Sequence, residues 1–200
     1  AALLDTRLSR GIFMTGGFFL GPNDFYERLR TMPPQDLAKI DMTRIDFINQ
    51  IYSSRPGQSE LKRVQRGKAR FMNTTMKMTL LGAAASDALD SGQVVSGVGG
   101  QYNFVAMAHA IPDARSILML RSTHDNKDGF RSSIVWSYGN VTIPRHLRDI
   151  VITEYGVADL RGQSDSDVVK RLIQVADSRF QGELIKQAKA HGKLESDYEL

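Results

Sequence analysis

The hydrophobic and polar positions of this chain change character at Gln93. Beyond it, short apolar runs and amphipathic stretches take turns. Gln93–Ser96 reads as a strand, and Gln101–Ala110 as a helix that stops near Pro112. Ser116–Arg121 is nearly all apolar through Ile117-Leu118-Met119-Leu120, the pattern of a strand covered on both faces of a parallel sheet. A polar loop, Ser122–Arg131, precedes expected strands at Ser133–Trp136, Val141–Ile143 and Asp149–Thr153. Two amphipathic helices follow, Ser166–Val175 with Val168, Val169, Leu172 and Ile173 inward, and Arg179–Ala190. From His191 the chain is polar and expected to fray. Strands alternating with helices, and glycines at strand ends, predict an open α/β domain with a mainly parallel sheet flanked by helices.

Before Gln93 the pattern is less regular. Ala1–Arg10 reads as the tail of a helix, with Leu3, Leu4 and Leu8 on one face and Gly11 as its stop. Gly11–Gly21 is apolar and punctuated by glycine, as in a buried strand and turn. Pro22-Asn23 opens a helix over Asp24–Arg30, Pro33-Pro34 breaks it, and Gln35–Ile40 supplies another turn or two. Phe47–Tyr52 suggests a short strand, Ser53–Gly57 a loop, Ser59–Lys68 a polar basic segment, and Arg70–Leu81 a strand.

Composition narrows the classes. Two hundred residues at 42% hydrophobic content can bury one ordinary core. No apolar run reaches the roughly 18 residues of a membrane span, and Asp5 and Arg7 interrupt Ala1–Leu4 too early for a signal peptide. The absence of cysteine excludes disulfide scaffolds and thiolate zinc sites and fits a cytoplasmic setting. The net charge of +4 favours anionic ligands in general.

The chemistry concentrates at Gly97-Val98-Gly99-Gly100, where outward N–H groups and a helix N-terminus offer donors to a phosphate or an oxyanion. Three readings stay open. The glycines can serve a tight turn alone. They can form a dinucleotide fingerprint, with Arg121 placed for a 2′-phosphate, although Tyr102 stands where the third glycine belongs. Or they can cradle an acyl-CoA.

Other candidates weigh less. Val94 stands where a nucleophile elbow around Ser96 needs glycine. His109, His124, His146 and His191 lack metal-ligand spacing; His109 reads as a satisfied histidine and His146 as part of a polar network. Lys62, Arg63, Arg66, Lys68 and Arg70 form a solvated basic face or an anion site for 3′-phosphoadenosine. Without interleaved aromatics they do not suggest nucleic acid. The Asn73 amide can orient a carboxylate or cap a turn. Glu154 falls at a strand's carboxyl end, where a structural hydrogen bond is the cautious assignment.

Val94–Phe104, Ile134–Arg148 and Ile150–Gly162, with Arg70–Asn73 and Arg179-Phe180-Gln181, resemble the C-terminal half of the acetyl-CoA hydrolase/CoA-transferase family. The resemblance runs from about Gly11 and implies a CoA-transferase-like α/β fold of the NagB/RpiA/CoA-transferase type. Residues 1–190 would be such a domain, incomplete at its N-terminus, with 191–200 a polar tail.

What the resemblance implies is acyl-CoA:carboxylate transfer or acyl-CoA hydrolysis through a glutamyl-CoA intermediate, with coenzyme A as acyl carrier and no metal. The nucleophilic glutamate would lie ahead of the segment matching Gly11–Gly21. None of Glu27, Glu60, Glu154 or Glu183 has its context, so this chain alone is expected to be inactive. Ser96, Gly97, Gly99, Gly100, Gln101 and Lys127 match the CoA site, and Asn73, Gly99 and Gly100 the oxyanion and substrate support. Tyr102 and Asn103 replace more usual small or acidic residues, and the loop around Lys127 departs from the common pattern. The implied partners are acyl-CoA, a small carboxylic acid, the remaining N-terminal half of the protein and a second copy in a homodimer; neither nucleic acid nor membrane is among them. An NADP-binding oxidoreductase module built on the glycine loop and Arg121 is the rival expectation.

Overall fold

A computed structural model describes residues 11–127 and 129–200, which fall into two compact units meeting at Ser59/Glu60. The expected helix tail over residues 1–10 lies outside the described residues.

In the first unit, β1 (Met14–Gly16) pairs in parallel with β2 (Ile40–Met42). Between them run α1 (Asn23–Thr31) and the short α2 (Pro34–Leu37); α3 (Ile45–Asn49) follows. The Tyr26 hydroxyl donates to the Phe19 carbonyl at 3.2 Å and accepts the Gly21 N–H, fastening the glycine stretch to α1. Gly11–Gly21 is not buried as expected, because Phe18 is 71% and Leu20 86% exposed. The expected strand at Phe47–Tyr52 does not form: Phe47–Asn49 belong to α3 and Gln50–Tyr52 are irregular. The β propensity of Phe47 and Ile48 gives way to Asp46 in the first turn, where a carboxylate favours a helix start.

The second unit opens with α4 (Gln58–Gln65), which straddles the boundary, then β3 (Arg70–Thr74), β4 (Lys77–Thr79) and β5 (Ala84–Ala85). After α5 (Gln101–Ala110) come β6 (Arg115–Met119), β7 (Thr123–Asn126), β8 (Gly129–Ser132) and β9 (Ile134–Val135). A 3-10 turn at Arg145–Leu147 leads to β10 (Ile150–Thr153), β11 (Gly156–Asp159), α6 (Asp165–Gln174) and α7 (Ser178–Ala190).

The main sheet has the order β11-β10-β6-β3, parallel across β10, β6 and β3, with β11 antiparallel at its edge. Ser116, Ile117 and Leu118 are buried in succession, so both faces of β6 are covered, as its apolar run predicts. A smaller sheet, β5-β4-β9, and the β7–β8 hairpin complete the unit. The mixed α/β architecture flanked by helices is the expected class.

Several local expectations are corrected. Arg70–Leu81 is two strands in different sheets. Val141–Ile143 contributes only a bridge from Ile143 to Ala84. The polar loop Ser122–Arg131 is a hairpin, with Thr123–Asn126 paired to Gly129–Ser132 and Gly129 opening β8 at φ +102°. The basic segment is helical and not simply a solvated face: Lys62 is buried, and Arg63 donates to the Ala110 carbonyl at 2.8 Å, capping the negative end of α5. The segment past His191 is anchored by Leu194 in the core and by Lys193 bonded to Asp165 at 3.1 Å, while most of its other residues are exposed.

The core joins Val105 of α5, Leu118, Val151 and Ala158 of the sheet, Val168, Val169, Leu172 and Ile173 of α6, and Leu184 and Ala188 of α7. Ser164 caps α6 by accepting the Asp167 N–H at 3.1 Å, and Asp177 caps α7 by accepting the Arg179 N–H at 3.0 Å.

Carboxylates on this surface make the unit acid-sensitive. The Arg161 guanidinium bonded to Asp159 holds that carboxyl at about 2. Lys193, with Arg148, lowers Asp165, and Arg179 lowers Asp177 well below the carboxylate range. Folded values below unfolded ones mean stabilisation that is complete above about pH 4 and lost as pH falls toward 2. Urea midpoints should therefore be level from pH 7 to 5 and drop between pH 4 and 2; a flat profile would refute the assignment.

Candidate functional site

Because β3, β6 and β10 are parallel, Thr74, Met119 and Thr153 end at one edge of the sheet, where open α/β proteins place their sites. An open pocket of about 980 Å3 lies there, lined among others by Thr74, Lys77, Leu120, Arg121, His124, Phe130 and Glu154.

The glycine loop reaches this edge through α5. Gln101, the first residue of α5, donates from Nε2 to the Thr74 carbonyl at 2.7 Å, joining the helix start to the end of β3. Asn73 and Phe71 are the more buried positions of β3, and the Phe71 ring meets Phe104 of α5 at 6.1 Å. The Asn73 Nδ2 donor and the Gln101 Oε1 acceptor are both buried without a hydrogen-bond partner. Such groups are rare in proteins and point to a ligand or to strain.

The loop itself differs from the expected strand-to-helix turn. Gln93–Ser96 is not a strand of the sheet: Val94 makes one isolated bridge, to Ala88, and the Val95 and Ser96 N–H groups both donate to the Asp87 carbonyl. Lacking a partner strand, its apolar residues face outward, Val94 being 69% exposed. Positive φ falls on Gly99, at +60°, whereas Gly100, the N-cap of α5, has φ −94°. A Cβ at Gly97 or Gly99 would meet nothing within 4 Å, so the loop leaves its backbone approachable. Ser96 donates from its hydroxyl to the Gly97 carbonyl. Ser96, Gly97, Gly99 and Gly100 lead into α5, Gln101 ties its start to the Thr74 carbonyl, and Asn73 precedes Thr74 in β3; none of these six is in the pocket lining. Lys127 stands apart from the lining, exposed in the turn between β7 and β8.

Glu154 holds a structural bond: its carboxylate accepts the Ser122 N–H at 2.9 Å and the Ser122 hydroxyl at 2.7 Å. Burial pushes its carboxyl up, but the two Ser122 bonds outweigh that and leave it below its usual value. His109 Nε2 donates to the Leu147 carbonyl at 2.9 Å, and His146 lies in a polar cleft with Arg145, Arg148 and Asp165.

The sequence did not mark Lys77 or His124 as a pair. Lys77 Nζ donates to the Ser132 carbonyl at 2.8 Å and lies 3.2 Å from His124 Nδ1. Burial brings the Lys77 ammonium down to about 8. Burial, then Lys77 and Arg131, lowers His124 against the opposing pull of Asp125. Among the described residues no cluster of three metal-ligating side chains occurs, and no helix is long and apolar enough to cross a membrane.

The model of the acetyl-CoA hydrolase/transferase C-terminal domain matches residues 21–188. The chain belongs to that family. It is 30% identical over 180 residues to succinyl-CoA:cyclohexane-1-carboxylate CoA transferase of Geobacter metallireducens, covering 88% of this chain and 37% of the relative. The identity to 4-hydroxybutyrate coenzyme A transferase of Clostridium kluyveri is 25% over 173 residues, with 86% and 37% covered. RipA from Yersinia pestis superposes with a TM-score of 0.71 at 29% identity, over 94% of this chain and 39% of that one. The chain therefore spans little more than a third of these proteins' length.

The dinucleotide reading loses its basis. A Rossmann fingerprint needs a sheet strand leading into the glycines, and Gln93–Ser96 supplies none, so Arg121 has no ribose-facing strand to complement. The family model and the curated relatives named above are those of CoA-transferases.

Proposed function

We propose that this chain is the C-terminal, CoA-engaging portion of an acyl-CoA:carboxylate CoA-transferase or acyl-CoA hydrolase that works through a glutamyl-CoA thioester. The observation that carries the reading is the approachable glycine loop at the start of α5, tied by Gln101 to Thr74 beside the unpartnered Asn73 amide.

A glutamate carboxylate from the preceding part of the intact protein attacks the acyl-CoA carbonyl and expels CoA thiolate, leaving an acyl-glutamyl anhydride. The thiolate then attacks the glutamyl carbonyl, releasing the first acid and forming the glutamyl-CoA thioester. A second carboxylate reverses these steps; water instead frees CoA and regenerates the glutamate. Asn73 Nδ2 and the Gly99 and Gly100 N–H groups are the donors assigned to the tetrahedral oxyanions. Ser96, Gly97, Gln101 and Lys127 are assigned to CoA. The acceptor is a small carboxylic acid.

Mass spectrometry of the intact protein incubated with acetyl-CoA tests this. A CoA thioester on a glutamate preceding Ala1 is expected. Its absence, or an adduct on Glu27, Glu60, Glu154 or Glu183, would overturn the reading.

A further inference from the structure

A second cleft lies at the other end of β10 from the pocket. Arg148 comes just before that strand, whose whole length separates it from Thr153 at the pocket edge. An open cavity of about 470 Å3 is lined there by Arg145, His146, Arg148, Gly162, Gln163 and Asp165. Asp165 is the one carboxylate in that lining among the described residues, and three cations converge on it. Arg145 and Arg148 reach its Oδ1 at 3.3 and 3.2 Å, and Lys193 reaches Oδ2 at 3.1 Å. Lys193, then Arg148 and Arg145, hold the Asp165 carboxyl below its usual range, so it is ionised at pH 7. One negative charge against three positive ones leaves two unmatched.

The cations are also placed to take a further acceptor. Arg148 is fixed by the Leu81 carbonyl at 2.9 Å and the Gln163 carbonyl at 3.2 Å, which sets its guanidinium in the cleft wall. Arg145 engages Asp165 through Nη1, and its Nε and Nη2 make no hydrogen bond among the described residues. The exposed ring of His146 is likewise unbonded among them. At the same wall α6 begins, adding the positive end of its dipole. Gly162 has φ +64°, and a Cβ there would meet nothing within 4 Å, so the cleft is approachable past its backbone.

A monocarboxylate would balance only one of the two unmatched charges. A phosphate dianion balances both and offers three oxygens to guanidinium forks, which suit phosphate geometry. The cavity exceeds a bare phosphate in size and leaves room for an attached group. We propose that this cleft is an anion site for a phosphate dianion, free or as the end of a phosphate monoester, held by Arg145, Arg148 and Lys193 beside Asp165. The site is separate from the glycine loop and does not depend on the transferase reading.

Calorimetry on the intact protein at pH 7 and low salt tests it, with inorganic phosphate and AMP as probes. Coenzyme A is kept saturating so that its own site is filled. At least one probe should bind saturably. Arg145→Ala and Lys193→Met should each weaken that binding at least about tenfold. Asp165→Asn removes the competing negative charge and should tighten it about tenfold, an effect that a purely structural ion network does not produce. Each variant is checked for folding by its thermal midpoint, and if Asp165→Asn does not fold, the other two decide. Tighter binding of AMP than of phosphate assigns the monoester, and equal binding the free ion; both sustain the site. No saturable binding, binding abolished by coenzyme A, or binding unchanged in Arg145→Ala and Lys193→Met overturns it.

Discussion

Replacing Asn73 with alanine in the intact enzyme is expected to lower kcat about a hundredfold, the usual cost of removing one oxyanion donor. The same change should leave folding stability level or slightly raised. Asn73 Nδ2 is buried at the end of β3 with no hydrogen-bond partner, so the folded chain carries a desolvated donor that contributes nothing to its own stability. Its removal relieves that cost, and the carbonyl-seeking group disappears from the site. Steady-state kinetics with acetyl-CoA and urea denaturation of the same preparation measure both quantities. A kcat within threefold of wild type would return Asn73 to a packing role. A large loss of stability would show that its amide has a structural partner after all.

Local pattern and tertiary setting divided the fold between them. Gln101–Ala110 was readable to the residue because Gly100 precedes it and Pro112 follows it, both strong local signals. The apolar run of β6 and the periodic Val168, Val169, Leu172 and Ile173 of α6 were equally plain. Gln93–Ser96 misled because Val94 and Val95 carry a strand's composition without a neighbouring strand to pair with. The β7–β8 hairpin was hidden by polar residues, since Thr123–Asn126 and Gly129–Ser132 pair without any hydrophobic alternation to mark them. At the site, the glycine loop announced itself through residue type. Lys77 did not: the alternation Met76-Lys77-Met78 marks it as solvent-facing. Only the pairing of β4 with β9, together with the Ser132 carbonyl, makes it a pocket residue.

At the opposite end of the sheet from the pocket, Asp149 should prove the more stringent test of how that edge is held. Its carboxylate is buried at the entry to β10 and accepts the Ser116 N–H at 2.7 Å, linking β10 to the entry of β6. Its carbonyl accepts the Leu160 N–H at 2.8 Å, adding β11. Glu154 and Ser122 fasten β6 and β10 in the same manner at the pocket edge, so each end of the parallel pair has a carboxylate clamp. Asp149→Ala leaves the buried Ser116 N–H without an acceptor and opens a small void. Together these should cost about 2–4 kcal/mol of unfolding free energy. Asp149→Asn keeps an acceptor for Ser116 but gives up the charge facing Arg161, 3.4 Å away, and turns an amide N–H2 toward it; Arg161 retains Asp159 at 2.5 Å. That variant should lose less than Asp149→Ala, because the Ser116 N–H keeps its acceptor. Urea denaturation of both proteins separates the contributions. Equal losses would mean that the ion pair with Arg161, not the bond to Ser116, secures this edge, whereas a negligible loss in both would show that β6 and β10 hold their register without the clamp.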